Sequence, residues 1–228
     1  MNMKKVNNHL IELAVIVFGI LLALAADAAW DHNQDRQEER EIIEALSIEF
    51  QRDAEELEED QSIRVMVLKS FELLSKQPSE FSISQKKEAF KRLFSGRFYA
   101  PNHAVLDDVL NTARIGLIGS DKLRQLIMTF EHERETQIIL ENNARNNSAT
   151  LMREYLATQI DLLTLFSENN FENSSSELNN EEADTLIEKN QFRSLLFLAW
   201  RRVEVIYEHG NVLLDIVYRI QQELEANI

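Results

Sequence analysis

Apolar residues recur at intervals of three and four along most of the chain, which is the spacing of one face of an α-helix. Neither glycine nor proline interrupts residues 31–76. Within that segment the apolar stripe consists of Ile43, Leu46, Phe50, Ala54, Leu57, Val67, Phe71 and Leu74. The pattern predicts one long amphipathic helix, with a bend near residues 61–64, where the stripe lacks apolar residues.

Turn-forming residues divide the middle of the chain into shorter elements. Pro78 restricts the residue before it to extended backbone, so the long helix should end there. Ser82 and Gln85 have the spacing of a capping box, in which each residue satisfies a backbone N–H at the start of a helix. We therefore predict a short helix that runs through Phe94 and is terminated by Gly96.

Two further long helices are predicted in the second half of the chain. A short helix over residues 104–113 leads into a tight apolar turn at residues 114–119, and Ser120 then fits the N-cap of a helix over residues 122–163. The last helix should cover residues 190–225. These elements predict an all-α fold, an elongated antiparallel bundle of three long helices and several short ones.

The segment between the last two long helices has a different composition. Residues 167–184 contain six acidic residues, no lysine or arginine, and many asparagines and serines. Such a composition buries too little apolar surface to order itself. We predict a mobile loop at about residues 167–185, in which Phe171 is the one candidate docking side chain.

Composition narrows the range of functions. The 228 residues include 39 Asp+Glu and 24 Lys+Arg, for a formal charge of −15, but only five Gly, two Pro and no Cys. The scarcity of turn-forming residues favours long helices over sheets. The lack of cysteine excludes disulfides and thiolate-bound metal centres. Because nucleic-acid binding needs clustered cations, we expect no nucleic-acid partner.

One apolar segment stands out against this acidic background. It reads LIELAVIVFGILLALAADAAW over residues 10–30, and its only charged side chains are Glu12 and Asp27. As a helix it would be about 30 Å long, which matches the hydrocarbon core of a bilayer. We predict a transmembrane anchor at residues 10–30, preceded by a short stub at residues 1–9.

The remaining residues, 31–228, should form an acidic helical-bundle domain. No helix-breaking residue follows Trp30, so the anchor should continue directly into the first bundle helix. A cleaved signal peptide is the alternative, because Lys4 and Lys5 precede the apolar run and Ala23-Leu24-Ala25 resembles a cleavage site. Glu12 and the length of the apolar run favour the uncleaved anchor.

Orientation rests on a nearly balanced count of cations. Lys4 and Lys5 precede the anchor, and Arg36 and Arg40 follow it closely. We expect a bacterial inner-membrane protein with its stub in the cytoplasm and its bundle in the periplasm. The opposite orientation stays open at this point.

Five residues of the anchor share one helical face. They are Glu12, Gly19, Ala23, Ala26 and Trp30, separated by seven, four, three and four residues. Small residues let helices approach closely in lipid, and a carboxyl group near the boundary can hydrogen-bond to a neighbouring helix. This face is the candidate surface for transmembrane association, although small residues are also common in membrane helices that do not associate.

The same residues carry a resemblance to a known family. Glu12, the pair Gly19-Ile20, the pair Ala23-Leu24 and Trp30 resemble the anchor of an uncharacterised family of bacterial single-pass, membrane-anchored helical proteins. Residues 106–126 resemble a second block of that family, in which a Gly-containing turn leads into a long helix. The family often has glycine at the position of Ala113, where a left-handed turn is expected. The resemblance implies a small membrane-anchored helical protein and supplies no reaction, ligand or partner.

Catalytic patterns are absent from the sequence. No histidine lies three residues after a glutamate, so the ligand pairs of di-iron bundles are missing, as are phosphate-binding loops and nucleophile elbows. The Gly-containing turn at residues 115–120 and the pair Arg201-Arg202 beside Trp200 could contact an anion, but packing and pairing with Glu204 explain them better. We expect no catalytic residue, no cofactor and no metal.

The expected function is therefore that of a non-enzymatic envelope protein. Its bundle would act as an interaction or scaffolding module, with the lipid bilayer, an unidentified protein and a second copy of the chain as candidate partners. The alternative is a small-molecule sensing module outside the cytoplasm, because helical bundles bind ligands between their helices. A stub of residues 1–9 has no room for a signalling domain, so such a sensor would work through a partner membrane protein.

Overall fold

The computed structural model describes residues 3–94, 99, 102–166 and 178–227, with side chains for all of these except 3–15, 147–149 and 166. This part of the chain contains helices and no strand, which confirms the all-α prediction. The α-helices are α1 (Met3–Ser75), α2 (Ile83–Leu93), α3 (Ala104–Asn111), α4 (Asp121–Asn143), α5 (Thr150–Gln159), α6 (Leu163–Phe166), α7 (Asn180–Glu188) and α8 (Asn190–Asn227).

The first helix is much longer than the others and has no interruption. α1 runs from Met3 to Ser75, so the apolar segment and the first bundle helix are one continuous helix, as the sequence indicates. It also passes through residues 61–64 as regular helix. A 3-10 turn begins at Pro78, which confirms the predicted end of the helix.

Helix caps form where the sequence places them. Ser82 and Gln85 make the reciprocal hydrogen bonds of a capping box at the start of α2. The Ser120 hydroxyl accepts a hydrogen bond from the Leu123 N–H at the start of α4, with 3.2 Å between oxygen and nitrogen. Each cap satisfies a backbone donor that would otherwise lack a partner in the first helical turn. Gly96, the predicted terminator of α2, lies outside the described residues.

Two apolar clusters fill the bundle at different levels. The first joins Ile43, Leu46, Phe50, Leu57, Leu106, Val109, Leu123, Phe130, Val217 and Leu224. The second joins Phe71, Leu74, Ala89, Phe90, Tyr155, Leu156, Ala183, Leu186, Phe192 and Leu196. The early part of α1 therefore packs against the late part of α8, so these two helices are antiparallel.

The other long helices do not all alternate in direction. α4 contributes to the first cluster and α5 to the second, so this pair runs in the same direction as α1. α2 and α3 return the chain from the second cluster to the first. The predicted antiparallel arrangement of the long helices therefore holds for α1 and α8 and is wrong for α1 and α4, which run in the same direction because α2 and α3 return the chain between them.

Two predicted segments also differ in the structure. The helix expected over residues 122–163 changes to a π-helical stretch at Ala144–Ala149 and ends at Gln159, before the single turn of α6. The expected loop at residues 167–185 is wrong at its carboxyl end, since α7 begins at Asn180 with a capping box and buries apolar side chains. Two of its acidic residues, Glu181 and Glu182, occupy the first turn of α7, where they favour helix formation. Phe171 lies outside the described residues.

The turn between α3 and α4 depends on an unusual backbone conformation. Ala113 has φ 59° and ψ 15°, which is the left-handed region that ordinarily favours glycine. It is the one non-glycine residue with positive φ in the described part of the chain. The left-handed turn expected from the family resemblance thus forms with alanine, at the steric cost of its Cβ.

Ala113→Gly should therefore stabilise the fold. Relieving the left-handed strain of a non-glycine residue outweighs the extra entropy of glycine in the unfolded chain, and we expect a gain of about 1 kcal/mol in the free energy of unfolding. Urea unfolding followed by circular dichroism measures it. The matched control is Ala104→Gly at an exposed helical position, which should lose up to about 1 kcal/mol. Equal losses from both substitutions would contradict the prediction.

Candidate functional site

A layer of buried polar side chains separates the two apolar clusters. On α1 it occupies the gap in the apolar stripe, with Asp60, Gln61 and Arg64 all less than a tenth exposed. Gln137 and Glu141 of α4 are equally buried and face them. The gap that predicted a bend is therefore a place where polar residues continue the buried face of the helix.

An ion pair between α1 and α4 lies at the centre of this layer. Arg64 Nη2 donates to Glu141 Oε1 at 2.5 Å, and Arg64 Nη1 donates to Gln61 Oε1 at 2.9 Å. Glu141 also accepts from Gln137 Nε2 and from the backbone N–H of Tyr99, both at 2.7 Å. Burial raises the pKa of the Glu141 carboxyl above its ordinary value, and the charge of Arg64 opposes that shift.

The layer extends to α8 through Gln61. Its Nε2 donates to the carbonyl oxygen of Tyr207 at 2.8 Å and to Asn211 Oδ1 at 2.7 Å. Gly210 permits this approach, because a Cβ there would lie 2.7 Å from Gln61 Oε1 and 3.0 Å from Arg64 Nη1. A glycine in the middle of α8 is therefore required by close packing of the polar layer.

His209 adds a second link between α8 and α4. Its Nδ1 lies 2.9 Å from Gln137 Oε1 and its Nε2 lies 2.8 Å from Glu133 Oε2. Because Gln137 also donates to Glu141, His209 is connected through one amide group to the central ion pair. Three helices are thus joined by one continuous set of hydrogen bonds.

A second cluster of buried polar side chains lies beside the first apolar cluster. The His103 side chain is fully buried between Asp53 of α1 and Arg134 of α4. A guanidinium can only donate, so His103 Nδ1 accepts from Arg134 Nη1 at 2.9 Å. The ring hydrogen is therefore on Nε2, which donates to Asp53 Oδ2 at 2.5 Å. Glu49 on the same face of α1 accepts from the N–H groups of Val105 and Leu106 and so anchors the start of α3.

Tyr99 lies next to this cluster with its hydroxyl group buried. The hydroxyl has no hydrogen-bond partner in the described part of the chain. Burial raises the pKa of Tyr99, and the charge of Asp53 adds to the shift while Arg134 opposes it. The folded protein therefore keeps this side chain neutral at a pH where an exposed tyrosine ionises.

Tyr99→Phe should stabilise the protein and change its response to alkali. A buried hydroxyl group without a partner costs about 1 kcal/mol, which phenylalanine avoids. Above about pH 10 only the unfolded state ionises at Tyr99, so wild-type stability falls as the pH rises and the variant should lose less. Urea unfolding at pH 8 and pH 10.5 tests both effects. If the free energy of unfolding falls equally in wild type and variant between pH 8 and pH 10.5, the predicted change in alkali response is contradicted.

The polar layer is well suited to hold the helices in register. The side chains of its central ion pair are sealed from solvent, with Arg64 8 % exposed and Glu141 4 % exposed, and in the related cluster Asp53 and His103 are 0 % exposed. Breaking any one contact leaves a charged or polar group buried without its partner, which penalises sliding of one helix past another. Among the described residues no three His, Asp or Glu side chains are grouped to hold a metal ion.

An apolar, accessible depression lies between α1 and α8, beside the second cluster. It has a volume of about 400 Å³ and is lined by Phe71, Glu72, Ser75, Arg193, Leu196, Phe197 and Trp200. The rings of Phe197 and Trp200 stand 5.7 Å apart at an interplanar angle of 40°. We refer to this depression as the α1–α8 groove.

The predicted association face lies on the amino-terminal part of α1, away from both clusters. Gly19, Ala23, Ala26 and Trp30 are exposed, and Trp30 is 74 % exposed. A Cβ at Gly19 would meet nothing within 4 Å. The side chain of Glu12, the fifth member of the face, lies outside the described side chains, as do those of the other residues 10–15 of the predicted anchor.

Two weaker anion-binding features have partners within the protein. The N–H of Gly119, in the Gly-containing turn, donates to Glu39 Oε1 at 2.5 Å. Arg201 donates to Glu204 and forms an ion pair with it. The pairing of Arg201 with Glu204 is thus confirmed, and so is the packing of the turn, since Ile118 is buried in the first cluster and Ile115 and Leu117 pack against it.

Sequence reasoning missed the polar layer and the groove. The polar layer had a detectable signal, because Asp60, Gln61 and Arg64 continue the three-and-four spacing between Leu57 and Val67. The partners on α4 and α8 had no comparable signal, since they are brought together only by packing of distant segments. The α1–α8 groove likewise depends on the antiparallel pairing of Phe71 with Leu196 and Trp200.

Comparisons with known proteins, and the hydropathy of the helices, add two findings. No family model, curated protein or solved structure matches the chain. Within the described part of the chain, no helix combines the length and the apolar character needed to cross a membrane.

Proposed function

We propose that this protein is a single-pass, membrane-anchored helical bundle of the bacterial envelope that acts without catalysis as an interaction or scaffolding module. The observation that carries the proposal is the change in surroundings along α1. From Ile16 to Leu24 its large apolar side chains are about half exposed or more, whereas from Ile42 to Leu74 the apolar stripe is buried in the bundle. One rigid helix therefore joins an uncovered apolar segment to a folded domain.

The exposed apolar residues support insertion into lipid because seven of them lie within nine positions of the helix. Ile16, Val17, Phe18, Ile20, Leu21, Leu22 and Leu24 cover all sides of the helix, with exposed fractions between 48 % and 65 %. Contiguous apolar surface of this extent is costly in water, and a hydrocarbon environment removes the cost. The predicted anchor at residues 10–30 also includes residues 10–15, whose side chains the structure does not describe, so its full length is part of the proposal.

Alkaline extraction of membranes tests the anchor. The wild-type chain should stay in the carbonate-washed membrane pellet. Leu21→Lys combined with Leu22→Lys should move it to the supernatant, because each lysine near the bilayer centre costs about 2.5–3.5 kcal/mol. The matched control is Ile48→Lys with Met66→Lys, which places two lysines at exposed apolar positions of the bundle and should leave the chain in the pellet. Wild-type protein in the supernatant would overturn the anchor.

The orientation proposed for the bundle is periplasmic. The chain contains no cysteine, so Glu181→Cys on α7 provides a unique exposed thiol. An impermeant thiol reagent applied to cells with a permeabilised outer membrane should label Glu181→Cys and should not label Asn7→Cys in the stub. The reverse labelling pattern would place the bundle in the cytoplasm.

Lateral association through the anchor is part of the scaffolding proposal. The space beside Gly19 and the exposure of Ala23 and Ala26 on the same face support it. Gly19→Ile with Ala23→Ile should abolish cross-linking between chains in the membrane, since two β-branched side chains hold the helix backbones apart. Ile16→Leu with Ile20→Leu is the volume-matched control. Unchanged cross-linking in the isoleucine variant would remove association from the proposal.

A sensing module is the second candidate, and the α1–α8 groove favours it. A volume of about 400 Å³ lined by aromatic and aliphatic side chains with a few polar groups is typical of small-molecule sites. Purification in mild detergent followed by mass spectrometry separates the two candidates. A stoichiometric protein partner supports the scaffolding module, whereas a bundle recovered alone with a bound metabolite would overturn it.

A further inference from the structure

The α1–α8 groove continues into a longer apolar strip along α8. Beyond Phe197 a second depression of about 530 Å³ is lined by Asn190, Arg193, Ser194, Phe197 and Leu198. Phe197, which lines both depressions, is 59 % exposed, and Leu198 is 51 % exposed. Apolar surface is therefore available on both sides of Phe197. From Asn190 to Trp200 the strip is about 15 Å long, which matches three turns of a helix better than it matches a compact ligand.

The strip offers an available cation although the protein as a whole is acidic. Residues 189–203 contain Lys189, Arg193, Arg201 and Arg202 and no acidic residue, in a chain whose formal charge is −15. Arg201 is paired with Glu204 and Lys189 donates to Gln159, which leaves Arg193 as the cation open to a partner. Arg193 lines both depressions, is exposed, and forms no ion pair with any residue in the described part of the chain. Glu72, the acidic residue of the groove, is held by Lys76 at 2.7 Å. An acidic partner would therefore meet an available cation.

The position of the strip argues against two other occupants. Along α1, Phe71 lies about 60 Å beyond Trp30, so the strip would be far from the bilayer surface. A second copy anchored in the same membrane and related by a two-fold axis would present its own basic strip at the same height, which brings like charges together. Lipid and a symmetric dimer are thus less suitable than a different protein.

We infer that the α8 strip, together with the α1–α8 groove, is the docking site for an acidic amphipathic helix of a partner protein. Apolar side chains of that helix fill the groove against Phe71 and Leu196 and pack beside Phe197 and Trp200, while a carboxylate pairs with Arg193. This is the helix-in-groove mode of recognition, in which side chains spaced by three, four and seven residues act as anchors. The inference rests on the proposed function and names the partner class of its interaction module.

Trp200 provides a direct readout, because the chain has only two tryptophans and the other is Trp30. The full chain with Trp30→Phe is reconstituted in zwitterionic lipid nanodiscs and titrated with a tryptophan-free, 15-residue helical peptide. That peptide carries leucines at helical spacing flanked by glutamates. We expect a saturable change in Trp200 emission. A peptide with glutamine in place of glutamate should bind about tenfold more weakly or worse, because the charge-assisted pairing is lost.

Variants locate the site. Arg193→Gln should weaken binding of the glutamate peptide about tenfold and leave the glutamine peptide unchanged, and Phe197→Ala should weaken both. Arg153→Gln, at an exposed cation on α5, is the matched control and should change neither. Three results would overturn the inference: no saturable signal, equal affinity for the two peptides, or equal effects of Arg193→Gln and Arg153→Gln.

The same titration excludes the other class of occupant. Octanoate, a small molecule with an apolar tail and a carboxylate, is titrated in place of the peptide. If octanoate binds with the same dependence on Arg193 while the peptide fails to bind, the groove is a small-molecule site and the inference is overturned. Co-elution of the chain with nanodiscs is recorded separately. Loss of co-elution counts against the membrane anchor, whereas loss of peptide binding counts against the docking site alone.

Discussion

Arg64→Met is expected to lower the free energy of unfolding by about 3–5 kcal/mol. The substitution keeps most of the volume and apolar stem of arginine but leaves Glu141, which is 4 % exposed, as a buried carboxylate without its cationic partner. It also removes a donor to Gln61, which links α1 to α8. The full chain in mild detergent, unfolded with urea and followed by circular dichroism at 222 nm, provides the measurement.

A double substitution distinguishes this cause from a general loss of packing. In Arg64→Met with Glu141→Gln the uncompensated charge at residue 141 is gone, whereas the charge of Asp60, 3.9 Å from Arg64 in the wild type, is the same in both variants. Oε1 of Glu141 accepts from Gln137 and Oε2 accepts from the Tyr99 N–H, so the glutamine oxygen retains one of these two hydrogen bonds. The double variant should therefore be more stable than Arg64→Met alone. Lys76→Met breaks an exposed ion pair and is the control, with no measurable change expected. Additive losses in the double variant would show that the charge is not the cause.

Gly210→Ala is expected to destabilise the protein by about 1–2 kcal/mol, although alanine is the better helix former. The added Cβ would lie 2.7 Å from Gln61 Oε1, and Gln61 is held in place by Tyr207 and Asn211. The steric cost of overpacking a fixed polar group exceeds the gain in helix propensity of about 1 kcal/mol. Gly116→Ala adds a Cβ with no atom within 4 Å and is the matched control for added bulk.

The sign of the Gly210→Ala effect should reverse in a second background. Gln61→Ala removes the nearest obstacle and frees the end of Arg64, so in that background Gly210→Ala should be neutral or stabilise the protein by up to about 1 kcal/mol. The four proteins form a double-mutant cycle measured by urea unfolding. If Gly210→Ala has the same effect in both backgrounds, then close approach to Gln61 is not the reason for the glycine.

Local signals in the sequence predicted the helices well where each signal acts over a few residues. The capping box at Ser82 and Gln85, the stop at Pro78 and the N-cap at Ser120 all form, because each depends on hydrogen bonds or steric clashes within one turn. Predictions made from composition were weaker. The acidic segment before α8 was expected to be a loop, yet α7 begins at Asn180, because Ala183, Leu186 and Ile187 pack against the second cluster.

The candidate site was harder to predict than the fold. The association face was predicted from spacing on a single helix, and the structure leaves its residues Gly19, Ala23, Ala26 and Trp30 exposed. The α1–α8 groove could not be read in this way, since Phe71 and Trp200 are distant in sequence and become neighbours only when α8 packs antiparallel to α1. The same is true of Arg64 and Glu141.

The sequence by itself determined that this protein is helical, that its first helix continues from the apolar segment into the bundle, and where several helices begin. These properties follow from periodicity and from turn chemistry, which act locally along the chain. Only the tertiary structure decided that Asp60, Gln61 and Arg64 form a buried polar layer rather than a bend, and that Gly210 makes room for it. The physical reason is that a polar residue on a helical face is tolerated inside a protein only when hydrogen-bonding partners from distant segments satisfy it. The sequence of a single helix does not identify those partners.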